Sequence, residues 1–283
     1  MTMDYLSRDQ APLNASEWAE LDEAVRRVIA NQVTGRRFLS LFGPVGAGVQ
    51  VIPVDRTPGI DQGQVDMVGE VNDAVRLSSR IYQKVPMLHM DFMVFWRDIE
   101  SSRTQGVPLD WSMAEAAAAF VAQAEDRLIL EGDADDQVDG LLTVPGRQIR
   151  TAAAQGEAGS GFHDVVKAVD DLSAAGFYPP YTVVAGPSLY AAWHRLYGNT
   201  GVLEIEQIRR LADQGVYVTP LMPAHSVLVL AAGAQNMDLA VGADAQVAYV
   251  ESTSMNHRLR VMETLTLRIK RPGAICHIAP AKS

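Results

Sequence analysis

An α+β fold is predicted by three features of the sequence: a three-and-four spacing of apolar residues near its start, an alanine-rich helical stretch of about twenty residues in its middle, and alternating β-type runs in its last quarter. The chain has 283 residues, of which 48% are hydrophobic, 20% charged and 7% aromatic. That is enough to bury a full core in one large or two modest domains, and it excludes disorder for the bulk of the chain.

The first helix places Trp18, Leu21, Val25, Val28, Ile29 and Val33 on one face, with charged residues between them. Asn14 or Ser16 can cap its start, and Gly35 stops it before the strand-like Phe38, Leu39, Leu41 and Phe42. Residues 45–79 then alternate short β-type runs with turn formers such as Thr57-Pro58-Gly59. They read as a long hairpin or arm with too few large apolar residues for a core of its own, which favours packing on another subunit. Residues 86–96, followed by Arg97-Asp98-Ile99-Glu100, read as a buried strand passing into a short helix. The long helix starts at Ser112, where Glu115 completes a capping box. It presents Met113, Ala117, Phe120, Val121, Ala124 and Leu128 on one face and ends at the cap glycine Gly132. After the acidic turn 133–140 comes an α/β unit with helices over 162–175, 187–197 and 204–213 and strands over 181–184 and 216–219. Runs over 226–232, 237–241, 246–251 and 258–270 close the chain as an antiparallel set, with Leu259, Val261, Leu265, Leu267 and Ile269 facing one way. Glu263 falls on that apolar face, where a carboxylate must be paired, neutral or wetted.

Composition and motifs exclude several function classes. The net charge of −10 argues against a sequence-wide surface for nucleic acid or anionic membrane. No run approaches the roughly 18 apolar residues that span a bilayer, and the N-terminus lacks a secretion signal, so a cytoplasmic protein is expected. The lone Cys276 reads as a small strand hydrophobe. The glycines of residues 43–48 are in the wrong order for a dinucleotide fingerprint and precede no helix. The acidic turn lacks the glycine and terminal glutamate of a calcium loop. His89, His163, His194, His225, His257 and His277 show no metal-ligand spacing, and no nucleophile elbow exists. No catalytic and no metal-binding residue is therefore assigned. Glu263 is the one residue worth testing as a perturbed acid, and a structural ion pair is the simpler reading of it.

A set of short stretches in a fixed order resembles one family. They are Leu6-Ser7-Arg8-Asp9 with Ala11-Pro12-Leu13, Trp18-Ala19-Glu20-Leu21-Asp22, Gly35-Arg36-Arg37-Phe38, Gly43-Pro44, the run of residues 124–132, Gly140-Leu141-Leu142, Pro180-Tyr181-Thr182-Val183-Val184 and Glu263-Thr264-Leu265-Thr266. Together they resemble the encapsulins, bacterial nanocompartment shell proteins with the Hong Kong 97-type phage capsid fold, also known as the linocin or bacteriocin-like group. Three further stretches, at 46–50, 96–100 and 200–206, are similar to the subgroup associated with ferritin-like, iron-oxidising cargo.

The resemblance implies a non-enzymatic, self-assembling shell subunit, in a larger shell of about 180 subunits instead of about 60. It implies a peripheral domain of residues 1–44, 83–131 and 225–283, an extended loop of 45–82 and an axial domain of 132–224. A cargo protein would dock through a C-terminal targeting peptide, with Ile29, Val33, Arg36 and Ser40 on the helix side of a groove and Val247, Tyr249, Leu259 and Val261 opposite. Packing of the helix onto its own domain is the plain alternative for Ile29 and Val33. Ser40 stands where an acidic residue is usual, and Arg36→Glu is expected to abolish cargo retention while leaving shells intact. Gly198, Asn199 and Thr200 match a loop that would line a pore at the five-fold axis, and an ordinary turn is its plain reading. No cofactor is expected in the shell and iron enters only through cargo; the placement of the histidines and tryptophans leaves open the flavin of some relatives. The extended loop has no lysine between residues 51 and 79, so a non-covalent shell is expected. A prophage capsid protein that packages DNA, a shell for a dye-decolorising peroxidase, and a hydrolase or bacteriocin are the competing readings.

Overall fold

The structure is a computed structural model that describes residues 5–57, 75, 77–153, 159–198 and 200–280. Helix α1 (Ala15–Gln32) begins with a capping box: Asn14 Oδ1 accepts the N–H groups of Ser16 and Glu17 at 2.9 and 3.0 Å, and Glu17 Oε2 accepts the N–H of Asn14 at 2.7 Å. It buries Trp18, Leu21, Ala24, Val25 and Ile29, the face its spacing predicts, and gives way to a 3-10 turn, Gly35–Arg37. A two-residue strand β1 (Leu41–Phe42) follows. Strands β2 (Val51–Arg56) and β3 (Ser79–Lys84) pair antiparallel as the base of the predicted arm. Most of the arm, residues 58–74 and 76, lies outside the described residues.

Next come β4 (Met87–Val94), α2 (Trp96–Gln105) and the long α3 (Ser112–Glu131). Two expectations for α3 need correction. Ser112 lies inside the first turn and is itself held by Asp110, whose carboxylate accepts both its N–H and its hydroxyl. The buried face runs through Ala114, Ala117, Ala118, Val121, Ala122, Glu125 and Ile129, whereas Met113 and Phe120 are exposed. The cause is close packing on α1 and on the sheet: small side chains let the backbones approach, and the large ones turn outward. Gly132 caps the helix as predicted, and a Cβ there would meet Val138 O at 2.1 Å. It sits in the tight pairing of β5 (Gly132–Asp133) with β6 (Val138–Asp139).

The second half contains β7 (Gln148–Thr151), α4 (Ser160–Ala174), β8 (Thr182–Ala185), α5 (Pro187–Ala192), α6 (Glu204–Leu211), β9 (Gly215–Val218), β10 (Val227–Leu230), β11 (Met237–Thr253), β12 (Asn256–Ile269) and β13 (Ile275–Ala279). Helix α5 is shorter than its sequence suggests because the chain beyond it pairs with the start of α6: Ile205 donates to Trp193 O and Glu204 to Arg195 O. The two predicted runs at 237–241 and 246–251 are one strand, β11, with two register irregularities between them and a third between Tyr249 and Glu251. Ser254 and Met255 both take left-handed backbone angles and turn β11 tightly into β12.

The strands form two main sheets. One has the order β1-β11-β12-β4, with α1 and α3 packed on one face. The other has the order β7-β13-β10-β8-β9, with α4 and α6 against it. The expected peripheral segment 225–283 is therefore split. Strands β10 and β13 belong with β7, β8 and β9, because Val227 to Leu230 pair with β8 on one side and with β13 on the other. One apolar cluster continues from the second sheet through Leu128, Ile129 and Leu130 of α3 to Leu265, Leu267 and Ile269 of β12, so the two sheets share a core.

Candidate cargo and assembly surfaces

The predicted cargo groove lies at the seam between α1 and the first sheet, and in this chain the seam is closed. Ile29, Val33, Val247, Leu259 and Val261 are all buried in one apolar cluster with Trp18, Phe92 and Val121. Tyr249 is half-buried beside them, and Ser40 is exposed. Burial of this kind contributes about 1.5–3 kcal/mol per large aliphatic side chain, which is the packing role given above as the plain alternative.

The chain's own N-terminal segment covers the edge of β11 at the same place. Tyr249 N–H donates to Leu6 O at 2.8 Å, Arg8 Nε donates to Val247 O at 2.9 Å, and Tyr5 Oη donates to Gln246 Oε1 at 2.9 Å. Beside the Leu239–Ala240 end of β11 the strip Ser40-Leu41-Phe42 is exposed, Leu41 and Phe42 at 56% and 45%. The Arg268 guanidinium lies over the Phe42 ring at 3.8 Å.

Arg36 is not free to hold a peptide carbonyl. Its Nε donates to Glu125 Oε1 and Oε2 at 2.8 and 3.0 Å, Nη1 to Asp244 Oδ1 at 2.7 Å, and Nη2 to Glu263 Oε2 at 2.8 Å. The expected ligand is the centre of a hub that joins the turn after α1 to α3, β11 and β12. Burial pulls the Arg36 pKa down, and the carboxylates of Glu125, Glu263 and Asp244 more than reverse this, leaving it above the ordinary guanidinium value. Burial pushes both Glu125 and Glu263 upward, Glu263 well above the usual carboxylate range. Next to the hub, Asp126 accepts the N–H groups of Thr34 and Gly35, the open end of the 3-10 turn. A Cβ on Gly35 would lie 2.4 Å from Ile129 Cδ1, so only glycine lets the turn sit this close to α3.

Sequence reasoning found Glu263 as a buried carboxylate in need of a partner, but missed Glu125, Asp126 and Asp244. Glu125 and Asp126 do sit on the α3 face that packs inward, a spacing signal overshadowed by the exposed Met113 and Phe120.

Around the proposed pore, Tyr197 N–H donates to Val202 O at 2.8 Å and Thr200 Oγ1 donates to Tyr197 O at 2.6 Å, a tight turn with Gly198 in the left-handed region. Gly198 and Thr200 are exposed, and Asn199 lies outside the described residues. In the nearby stretch 200–206, Glu204 is buried and accepts the N–H groups of Gly159 and Phe162 at the start of α4. That gives this stretch a structural role. The acidic turn 133–140 anchors the arm: Lys84 pairs with Asp136 at 3.2 Å and Arg56 with Asp139 at 3.3 Å.

Cys276 is buried, and burial pushes its thiol up to about 11. Among the described residues no group of three or more His, Cys, Asp or Glu side chains could hold a metal ion, and no helix is long and apolar enough to cross a membrane.

Comparison with known proteins gives one consistent answer. Residues 3–266 match a family described as encapsulating protein for peroxidase. The type 1 encapsulin shell protein EncA of Myxococcus xanthus is 45% identical over 279 residues, covering 98% of this chain and 97% of that one. A diheme-cytochrome-encapsulin shell fusion protein of Kuenenia stuttgartiensis is 39% identical over 264 residues, covering 93% and 73%. In fold, the chain is similar to the virus-like particle of Pyrococcus furiosus, with a TM-score of 0.73 at 19% identity over 93% of this chain and 99% of that one. It is also similar to the capsid of an empty GTA particle, with a TM-score of 0.63 at 16% identity over 89% and 90%. These likenesses bear out the phage-capsid fold expected from the sequence.

Proposed function

The chain belongs to the encapsulin shell-protein family, and from that premise we propose that it is the structural subunit of an icosahedral nanocompartment enclosing a cargo protein. The observation that carries this reading is the end-to-end match to a type 1 encapsulin shell protein, 98% of one chain against 97% of the other. The arm supports it physically. Strands β2 and β3 contribute little core beyond Ile52 and Val54, and they expose Val51 and Tyr82 as a surface for a neighbouring copy.

The subunit itself is not an enzyme and holds no cofactor; its work is containment in the cytoplasm, with no membrane and no nucleic acid. The net charge of −10 supports the last point against a DNA-packaging capsid. The cargo peptide docks along the edge of β11, from half-buried Tyr249 at the seam to the exposed strip Ser40-Leu41-Phe42 beside Leu239 and Ala240, with Ile29, Val33, Val247, Leu259 and Val261 forming the wall beneath the seam end. The turn at 197–201 lines a pore for ions and small solutes.

A ferritin-like, iron-oxidising cargo is favoured by the stretches at 46–50, 96–100 and 200–206. A peroxidase cargo is favoured by the description of the matching family. Co-expression with each cargo separates the two by which one is retained in the particle.

The shell reading is tested by negative-stain electron microscopy of the chain expressed alone and purified by size exclusion. Closed particles of uniform diameter are expected, and the diameter distinguishes about 180 subunits from about 60. A monodisperse monomer or small oligomer overturns the reading. On a denaturing gel the particles should run as single chains, since residues 51–79 of the arm contain no lysine for a crosslink.

A further inference from the structure

We infer that Glu125 and Glu263 hold one proton between them, so that the Arg36 hub is a proton-binding site whose emptying at alkaline pH loosens the peripheral domain.

The count of charges at the hub requires it. Arg36, on the turn after α1, is the one cation among the described residues that reaches these groups. Facing it are Glu125 on α3, Asp244 on β11 and Glu263 on β12, with Asp126 of α3 alongside, while β4 sets the uncharged Leu88 opposite Glu263. Asp126 is served by the amides of Thr34 and Gly35 and lies in the field of Arg37, and Asp244 is open to water. Glu125 and Glu263 have no such outlet: both are 0% exposed and share a single guanidinium. Two buried carboxylates cannot both ionise cheaply against one positive charge.

One atom shows where the proton sits. Both oxygens of Glu125 accept from Arg36 Nε, and Glu263 Oε2 accepts from Nη2, but Glu263 Oε1 is buried without a hydrogen-bond partner among the described residues. A bare carboxylate oxygen in that position bears the full cost of desolvation. With a proton on Oε1 the orphan acceptor becomes a donor, and Glu125 is within hydrogen-bonding reach. The upward displacement of both groups by burial, larger for Glu263, agrees with that placement.

The sign follows from the linkage. A carboxyl whose pKa is raised in the fold gives its full stabilisation below the unfolded value and loses it as pH rises through the folded value. Past that point two buried carboxylates repel across one guanidinium, at the joint that fixes the end of α1 to α3 and β12.

The test uses the full chain. Infrared spectra of the wild type at neutral pH should contain a band of a protonated carboxylic acid that disappears as pH rises, in step with a fall in the thermal midpoint. Glu263→Gln, an uncharged isostere of the protonated side chain, should lack the band. It should also move the alkaline midpoint of unfolding upward by about one pH unit or more. No acid band at neutral pH, as expected if a buried water serves Oε1 and both groups are ionised, overturns the proposal. So does an alkaline loss in Glu263→Gln equal to that of the wild type. If Glu263→Gln does not fold, Glu125→Gln carries the same test. Thermal unfolding reads the proton whether or not closed shells form, so its failure is distinct from failure of the shell reading.

Discussion

Arg8 and Asp22 form a two-pronged ion pair, Nη1 to Oδ2 and Nη2 to Oδ1, each at 2.8 Å, which bolts the N-terminal segment to the first half of α1. The same guanidinium lies over the Trp18 ring at 4.6 Å and donates to Val247 O, so one side chain joins the segment, the helix and the edge of β11. Arg8→Ala should cost about 1–3 kcal/mol in chemical denaturation, since it leaves a partly buried carboxylate without its partner. It should also expose residues 5–13 to limited proteolysis. A variant that resists protease as the wild type does would show that the segment is held by other contacts.

Arg36→Glu places a fourth carboxylate where three already meet. The expectation from sequence, loss of cargo from intact shells, gives way to loss of the fold: removal of one partner from a buried ion network costs about 3–5 kcal/mol. Soluble yield and thermal midpoint of the purified chain check this, and normal particles of Arg36→Glu would refute it.

Gly35→Ala drives a methyl group against Ile129 Cδ1, which has no room to retreat because Ile129 is fully buried. A loss of about 1–3 kcal/mol is expected. Ile129→Val, which removes that Cδ1 atom, should recover part of the loss when combined with Gly35→Ala. Denaturant titration of the two single variants and the double variant reads the coupling.

On the outer face of the first sheet, the hydrogen-bonded Arg260 guanidinium holds Asp91 below the usual carboxylate range. Its folded pKa is depressed, so the pair's stabilisation is present above the unfolded value and is lost as pH falls through the folded one. Asp91→Asn should cost less than about 1 kcal/mol at neutral pH, as suits a solvent-touched pair. It should also flatten the acid limb of stability. Hydrogen exchange of the β4 amides across that range, referred to the intrinsic rate at each pH, is the measurement, with a fall in protection at low pH expected in the wild type alone.

The sequence made most elements legible because periodicity is local. The α1 face, the Asn14 box and the alternation from Leu259 to Ile269 each depend on neighbours within a few residues. What it concealed depends on distance. Nothing near Arg36 indicates that Glu125, Asp244 and Glu263 converge on it from three other elements. From its neighbours alone Arg36 reads as a ligand for a guest, whereas it ties elements of its own chain together. The same holds for β10 and β13, whose partners lie far along the chain and whose apolar runs would suit either sheet. The α3 face is hard to read from sequence because large apolar residues suggest burial, whereas in α3 the alanines bury where backbones crowd.

Among the described residues β13 follows every other strand, yet it lies between β7 and β10, inside its sheet and not at an edge. A nascent chain still on the ribosome at residue 270 would hold β10 with one flank unpaired and β7 with no neighbour at all. The sheet therefore closes only after synthesis has passed Ala279. Until β13 is in place, β7 and β10 lack the strand that joins them, so a subunit still being made has no finished second sheet to offer a neighbour.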